Sequence, residues 1–133
     1  MRQQLIEAAK AALRRAYAPY SGYKVGAAVL SAGKIYSGVN VENASYGLSM
    51  CAERAAVLAA VSDGARSVEA VAIAVEKGVP SPCGACRQVL REFGENMDVL
   101  LVTGDGTVRD TTLAHLLPDS FGPSFLREGR RDT

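Results

Sequence analysis

The sequence predicts an α/β fold of three layers, α/β/α, built on a mixed sheet of roughly five strands. Three observations carry that reading. Apolar residues near the start recur at helical spacing, two short β-like runs follow as a hairpin, and beyond residue 50 helical and strand-like segments alternate. A hairpin feeding an α-β-α-β alternation gives a sheet with both antiparallel and parallel neighbours and helices to cover its faces.

Each element has its own signal. Leu5, Ile6, Ala9, Ala12, Leu13, Ala16 and Tyr17 share one helical stripe, so residues 3–17 should form an amphipathic helix that Pro19 stops. Its stripe should cover a sheet or a neighbouring subunit. The runs 25–30 and 35–41 are joined by Ser31-Ala32-Gly33-Lys34, which reads as a hairpin turn. Residues 52–61, rich in alanine and leucine, make the next helix, with Gly64 near its end. The nearly continuous apolar run 68–75 is a central strand buried on both faces. Residues 83–93 form a helix followed by Gly94, 99–103 a strand, 104–106 a turn, and 111–117 a short helix ended by Pro118. The strand count after Gly106 stays open.

Composition excludes several classes. A chain of 133 residues, 48% apolar and 22% charged, suits one domain with a real core. We expect residues 1–126 to form it and 127–133 to be a frayed tail. Fifteen basic residues against 14 acidic give a net charge of +1, with basic residues clustered only from Arg127 to Arg131. That argues against a long nucleic acid as partner, because such affinity comes largely from neutralising phosphates. The start, Met1-Arg2-Gln3-Gln4-Leu5-Ile6-Glu7, lacks an apolar leader core, and no apolar run approaches the roughly 20 residues of a membrane span. A cytoplasmic protein without a membrane partner is expected.

All three cysteines fall in two short pieces, Cys51-Ala52-Glu53-Arg54 and Pro82-Cys83-Gly84-Ala85-Cys86-Arg87. An odd number of cysteines, two of them in C-x-x-C, fits reduced metal-binding thiols better than a disulfide framework. Cys51, Cys83 and Cys86 are one ligand short of a closed structural zinc site, and a catalytic zinc keeps its fourth position for water. One Zn2+ per chain is therefore expected, with the nearby carboxylate of Glu53 as proton carrier. Both pieces open a predicted helix, where free N–H groups and the positive dipole end favour thiolates. Cys83 and Cys86, three apart, should share one helix face. Cys51 and Glu53 lie about 200° apart on an ideal helix, so both flank one metal only if it sits off the helix end.

Three thiolates on a dication leave a negative site, which a guanidinium of Arg54 or Arg87 can offset by hydrogen-bonding a sulfur. The competing readings are solvent-facing arginines, a redox C-x-x-C with a spare thiol, or a closed zinc with His115 as fourth ligand. For Glu53 the plain alternative is a first-turn glutamate favoured by the helix dipole. Upstream, strand alternation in Gly38-Val39-Asn40-Val41-Glu42-Asn43 points Asn40 and Glu42 the same way. An amide and a carboxylate side by side can bind adjacent hydroxyls, as a ribose presents, or simply form a solvated face.

Taken with their flanks, Cys-Ala-Glu-Arg at 51–54 and Pro-Cys-Gly-Ala-Cys-Arg-Gln-Val-Leu at 82–90 resemble the cytidine deaminase family in its small-subunit, oligomeric form. The likeness runs from Pro19-Tyr20-Ser21 and Val25-Gly26-Ala27-Ala28 to Leu116-Leu117-Pro118 and Phe121-Gly122-Pro123. Three thiolates with a glutamate that is not a ligand is also the zinc-deaminase pattern. The resemblance implies zinc-dependent hydrolysis of cytidine, and of 2′-deoxycytidine, to uridine or deoxyuridine and ammonia, in pyrimidine salvage. It implies water activated at zinc as nucleophile at C4, Glu53 as proton shuttle, Arg54 as the arginine that supports the sulfurs, and Asn40 and Glu42 on the ribose. It further implies Tyr23 on the pyrimidine, the Ala52 N–H and the Ser81 carbonyl on the base, and a homotetramer in which Phe121 reaches a neighbouring active site. Two positions depart from the family: Tyr23 stands where Phe is usual, and Ala55 where Thr is frequent. For Tyr23 and Phe121, core packing is the alternative. A nucleoside-antibiotic deaminase of blasticidin type, a nucleic-acid-editing deaminase and a non-catalytic zinc-stapled domain are the competing functions.

Overall fold

Along β3 (Ala70–Val75) every residue from Val71 to Val75 is buried, and the two faces go to different partners. Val71 and Ile73 pack with Ala27, Val29, Val99 and Leu101 beneath α2 (Ala52–Ser62). Ala72 and Ala74 pack with Ala28, Leu100 and Val102 beneath α1 (Arg2–Ala12). Such two-sided burial is why the run reads as continuously apolar rather than alternating. Three layers result, with α1 on one side and α2, α3 (Gly84–Arg91) and α4 (Leu113–Leu116) on the other.

The five-stranded sheet has the order β2-β1-β3-β4-β5, with β1 at Val25–Ser31, β2 at Lys34–Val39, β4 at Asp98–Val102 and β5 at Val108–Thr112. Only the β3–β4 pair is parallel, joined through α3; every other neighbour is antiparallel. The mixed α/β sheet expected from sequence is what is found. The computed structural model describes residues 1–126; the expected tail, 127–133, lies outside the described residues.

The hairpin is tighter than its sequence suggested. Ser31 and Lys34 are the closing pair, leaving Ala32 and Gly33 as a two-residue turn with φ of 49° and 81°. Both are left-handed, as the hairpin turn that matches strand twist requires, and the alanine is the strained member.

Two expectations need correction. The first helix ends at Ala12 and passes through a 3-10 turn, Leu13–Arg15, so it does not reach residue 17. Tertiary pairing ends it: the Tyr17 N–H bonds the Asn40 carbonyl at 3.0 Å, and Tyr17 is 54% exposed. Residues 111 and 112, assigned to a helix by pattern, instead close β5, where they pair with Val99 and Asp98. The ladder satisfies more backbone groups than another half-turn of α4 would.

Close backbone approach seats α2. A Cβ on Gly38 of β2 would lie 2.3 Å from the Ala56 nitrogen and 2.8 Å from the Ala52 carbonyl oxygen. Glycine there lets the helix that begins the first cysteine motif lie directly on the sheet edge.

Candidate active site

The thiols are assembled by two helix starts and one short bridge. Val41 exchanges both backbone hydrogen bonds with Met50, each 2.9 Å, so the chain enters α2 from an extended bridge. Cys51 is consequently the N-cap of α2, extended at φ −77° and ψ 151°, and Cys83 is the N-cap of α3. The three Sγ atoms lie within 4.8 Å of one another, with Cys83 and Cys86 at 3.4 Å. Cys83 and Cys86 therefore do not share a helix face as expected: Cys83 stands off the helix end, and Cys86 in the first turn points back to it. The same placement resolves the awkward angle between Cys51 and Glu53, since Cys51 is not helical.

The sulfurs are not electrostatically alike. The Cys86 N–H, 3.4 Å from the Cys83 sulfur, pulls the Cys83 thiol below its ordinary range. Burial, with the Glu53 charge beside it, pushes the Cys86 thiol up. A cation among them would reverse that second effect and make all three thiolates. Zinc fits this donor set: three soft sulfurs converging on one point, from three free cysteines. Cys51, Cys83 and Cys86 would hold it. Among the described residues no fourth histidine, cysteine or carboxylate joins the cluster, and His115 is exposed on α4. The closed structural site with His115 as ligand is thereby disfavoured.

Glu53, second residue of α2, is only 5% exposed. Burial raises its carboxyl above the ordinary range, while its backbone N–H, Cys86 and Arg54 pull the other way. It is thus held nearer to proton exchange at neutral pH than a surface glutamate. Arg54 donates through Nη2 to the Cys51 sulfur at 3.6 Å, and its Nε is buried without a protein partner among the described residues. Arg87 is neither a sulfur partner nor a solvent-facing side chain, the two roles its sequence position allowed. It donates to the Pro82 carbonyl at 2.8 Å, the Leu116 carbonyl at 2.7 Å and the Ser81 hydroxyl at 3.0 Å. No sequence signal announced that role, because one partner is 29 residues away.

Beside the thiols opens a cavity of about 250 Å³. It is lined by Cys51, Ala52, Glu53 and Cys83 and also by Tyr23, Asn40, Glu42 and Ser81. Pro80 and Pro82, both fully buried, hold Ser81 at the rim. Asn40 accepts from the Val25 N–H at 2.9 Å and donates to the Tyr23 carbonyl at 2.7 Å. Glu42 accepts from the N–H groups of Tyr20 and Ser21, at 2.9 and 3.1 Å, and from the Ser21 hydroxyl. Those donors, the hydroxyl foremost, hold its carboxyl below the usual range. Sequence reasoning placed these two side chains but missed that both are already braced against the 20–25 segment. Phe121 is not among the residues lining this cavity; it is 56% exposed, stacks on Phe125, and its carbonyl accepts from Gln88.

The chain is similar to known proteins. Residues 1–103 match the family model described as cytidine and deoxycytidylate deaminase zinc-binding region. A cytidine deaminase of Sporosarcina psychrophila is 48% identical over 127 residues, covering 93% of each chain. One of Mycobacterium tuberculosis is 48% identical over 118 residues, 87% of this chain and 86% of the relative. The crystal structure of cytidine deaminase from Burkholderia pseudomallei superposes with a TM-score of 0.86 at 51% identity, over 91% of this chain and 99% of the other. With its thiol cluster, its sheet order and this breadth of likeness, the chain belongs to the cytidine deaminase family.

Proposed function

We propose that this protein hydrolyses cytidine, and 2′-deoxycytidine, to uridine or deoxyuridine and ammonia, using one zinc ion per chain. The observation that carries the reading is one cavity lined by Cys51, Cys83 and the buried Glu53 together with Asn40 and Glu42, an amide and a carboxylate suited to a ribose, while the Cys86 sulfur converges on the other two. Zinc bound by Cys51, Cys83 and Cys86 supplies the Lewis acidity that makes water nucleophilic at neutral pH.

The remaining work belongs to the chain. Glu53, buried and with its pKa raised, takes one proton from the attacking water and delivers it to N3 of the pyrimidine as the water oxygen bonds to C4. It then carries the remaining proton from that oxygen to the amino group, and the C4–N bond breaks to release ammonia. Ala52 is the first residue of α2, so its N–H has no intrahelical acceptor and is free to hold the base carbonyl. The Ser81 carbonyl accepts from the amino group, and Pro80, Pro82 and Arg87 keep it in place. Tyr23 lies against the pyrimidine. Asn40 and Glu42, their outer hydrogen bonds made to the 20–25 segment, hold the ribose hydroxyls with their remaining capacity. Arg54, on the Cys51 sulfur, offsets the surplus negative charge of three thiolates.

Residues 1–126 act as one domain, and four chains assemble so that Phe121 completes a neighbour's site. Its 56% exposure, beside Phe125 at 53%, leaves an apolar surface for such a contact. Among the described residues no helix is long and apolar enough to cross a membrane. The role we assign is cytoplasmic, in pyrimidine salvage.

The test is the fall in ultraviolet absorbance on mixing the purified protein with cytidine, with zinc quantified in the same sample. Turnover to uridine with about one zinc per chain is expected from a three-thiolate site. Bound zinc without turnover would reject the reading.

A further inference from the structure

Ser21 sits in an exposed turn, 18–22, closed by the Gly22 N–H to the Ala18 carbonyl at 2.9 Å. Its hydroxyl nevertheless stands at a junction. It donates to one oxygen of Glu42 and accepts from the Tyr23 N–H at 3.0 Å. The Tyr23 carbonyl, on the other side of the same residue, accepts from the Asn40 amide, whose oxygen accepts from the Val25 N–H. A continuous chain of hydrogen bonds thus runs from Glu42 through Ser21 and Tyr23 to Asn40.

Three of these groups line the cavity, and Ser21 does not. Tyr23 is 49% exposed, so packing alone does not hold its ring; its backbone is held from both sides instead. The Glu42 carboxylate would be free to turn about its last torsion if only the two backbone N–H groups, both on the same oxygen, faced it. The Ser21 hydroxyl grips the other oxygen and removes that freedom.

We propose that Ser21 is a positioning residue for nucleoside recognition: through one hydroxyl it fixes the carboxylate of Glu42 and couples it to Tyr23, presenting a preset acceptor to a ribose hydroxyl. The inference rests on the reading of Asn40 and Glu42 as the ribose-facing pair. Because the Ser21 hydroxyl touches no reacting atom, its loss acts on KM and not on kcat. It acts most on nucleosides that carry a ribose hydroxyl to donate.

The test compares Ser21→Thr with Ser21→Val in the zinc-loaded full chain, since these two side chains match in shape and differ in the hydroxyl. Steady-state kinetics are read with cytidine and with 2′,3′-dideoxycytidine, which lacks the 2′- and 3′-hydroxyls and keeps only the 5′-hydroxyl. Ser21→Val should raise KM for cytidine about tenfold with kcat within about twofold, the size of one lost hydrogen bond to a charged group. Ser21→Thr should stay near the parent, and dideoxycytidine should lose clearly less than cytidine. Ser21→Ala gives the same comparison should the bulk of valine disturb the turn. Equal KM shifts in the Thr and Val variants, equal losses on both nucleosides, or no shift at all would overturn the proposal. Glu42→Gln, measured alongside, keeps the two readings apart. If it leaves the ratio of KM between the two nucleosides unchanged, the ribose reading has failed whatever Ser21 does.

Discussion

The two walls of the cavity are built by opposite strategies. On the thiol side, Cys51 and Cys83 are N-caps, Glu53 and Cys86 sit in first turns, and each position follows from where a helix starts. The polar wall is Asn40 and Glu42, which follow the end of β2 and are braced by hydrogen bonds to an earlier segment, residues 20–25. The first wall is set by local helix starts, with Ala52, Glu53 and Cys86 buried and Cys83 exposed; the second is set by non-local bonds and is partly open. Chemistry should therefore be lost by changing single atoms on the first wall, and affinity by loosening the second.

The largest effects fall on the thiol side. Glu53→Gln keeps shape but cannot exchange protons, so kcat should drop by about 10²- to 10⁴-fold with zinc still near one per chain. Zinc analysis and single-turnover assays check both halves. Unchanged turnover would remove Glu53 from the mechanism and with it the contrast between the walls. Cys86→Ala should instead lose metal and activity together, because it deletes the buried member of the cluster. Full zinc occupancy in that variant would mean that the three thiols do not hold the ion.

A smaller loss should come from behind the same wall. Gly38→Ala places a Cβ 2.3 Å from the backbone nitrogen of Ala56, against atoms that cannot rotate away. Pushing α2 off β2 should cost about 2–3 kcal/mol, as overpacking does, and lower Tm accordingly. It should also lower zinc affinity, because Cys51 and Glu53 ride on that helix. A variant with reduced Tm but unaltered zinc affinity would show that the thiols are positioned independently of how α2 sits.

How much could be read from the chain follows the same division. The convergence of Cys51, Cys83 and Cys86, with Glu53 buried in the same helix start as Cys51, was legible because each cysteine motif opens a helix and a helix start fixes its geometry over a few residues. The central strand was legible because residues 71–75, buried on both faces, cannot hide their apolar pattern. By contrast β5, Val-Arg-Asp-Thr-Thr, has no apolar alternation and exists because β4 offers it an edge. The end of α1 and the triple grip of Arg87 likewise depend on partners far along the chain, Asn40 and Leu116. No local pattern encodes them.

Loosening the second wall should spare the chemical step. Asn40→Ala frees the Val25 N–H and the Tyr23 carbonyl and removes an amide from the cavity. KM for cytidine should rise about tenfold or more, with kcat changed by less, for two hydrogen bonds at about 1 kcal/mol each. Free cytosine, which lacks the sugar, should be affected less. Equal losses on both substrates would mean that Asn40 serves the 20–25 segment alone, and the wall would then recognise the base, not the sugar.

The least change is expected from Tyr23→Phe, and its smallness is informative. A buried tyrosine hydroxyl needs a partner, and stranding or deleting one costs energy in proportion. Here the side chain is 49% exposed, so the hydroxyl remains within reach of water, and on the proposed reading the contribution to binding is the ring face. Replacing it with phenylalanine should move kcat/KM by less than about threefold, the scale of a solvent-satisfied group. Tyr23→Ala, by the same argument, should raise KM several-fold more, because it removes the ring while leaving the Ser21 and Asn40 bonds to its backbone intact. If the phenylalanine variant instead loses as much as the alanine variant, the hydroxyl is held by something other than water. A subunit seated over the cavity mouth would do that, and the second wall would then be braced by a neighbouring chain as well as by its own.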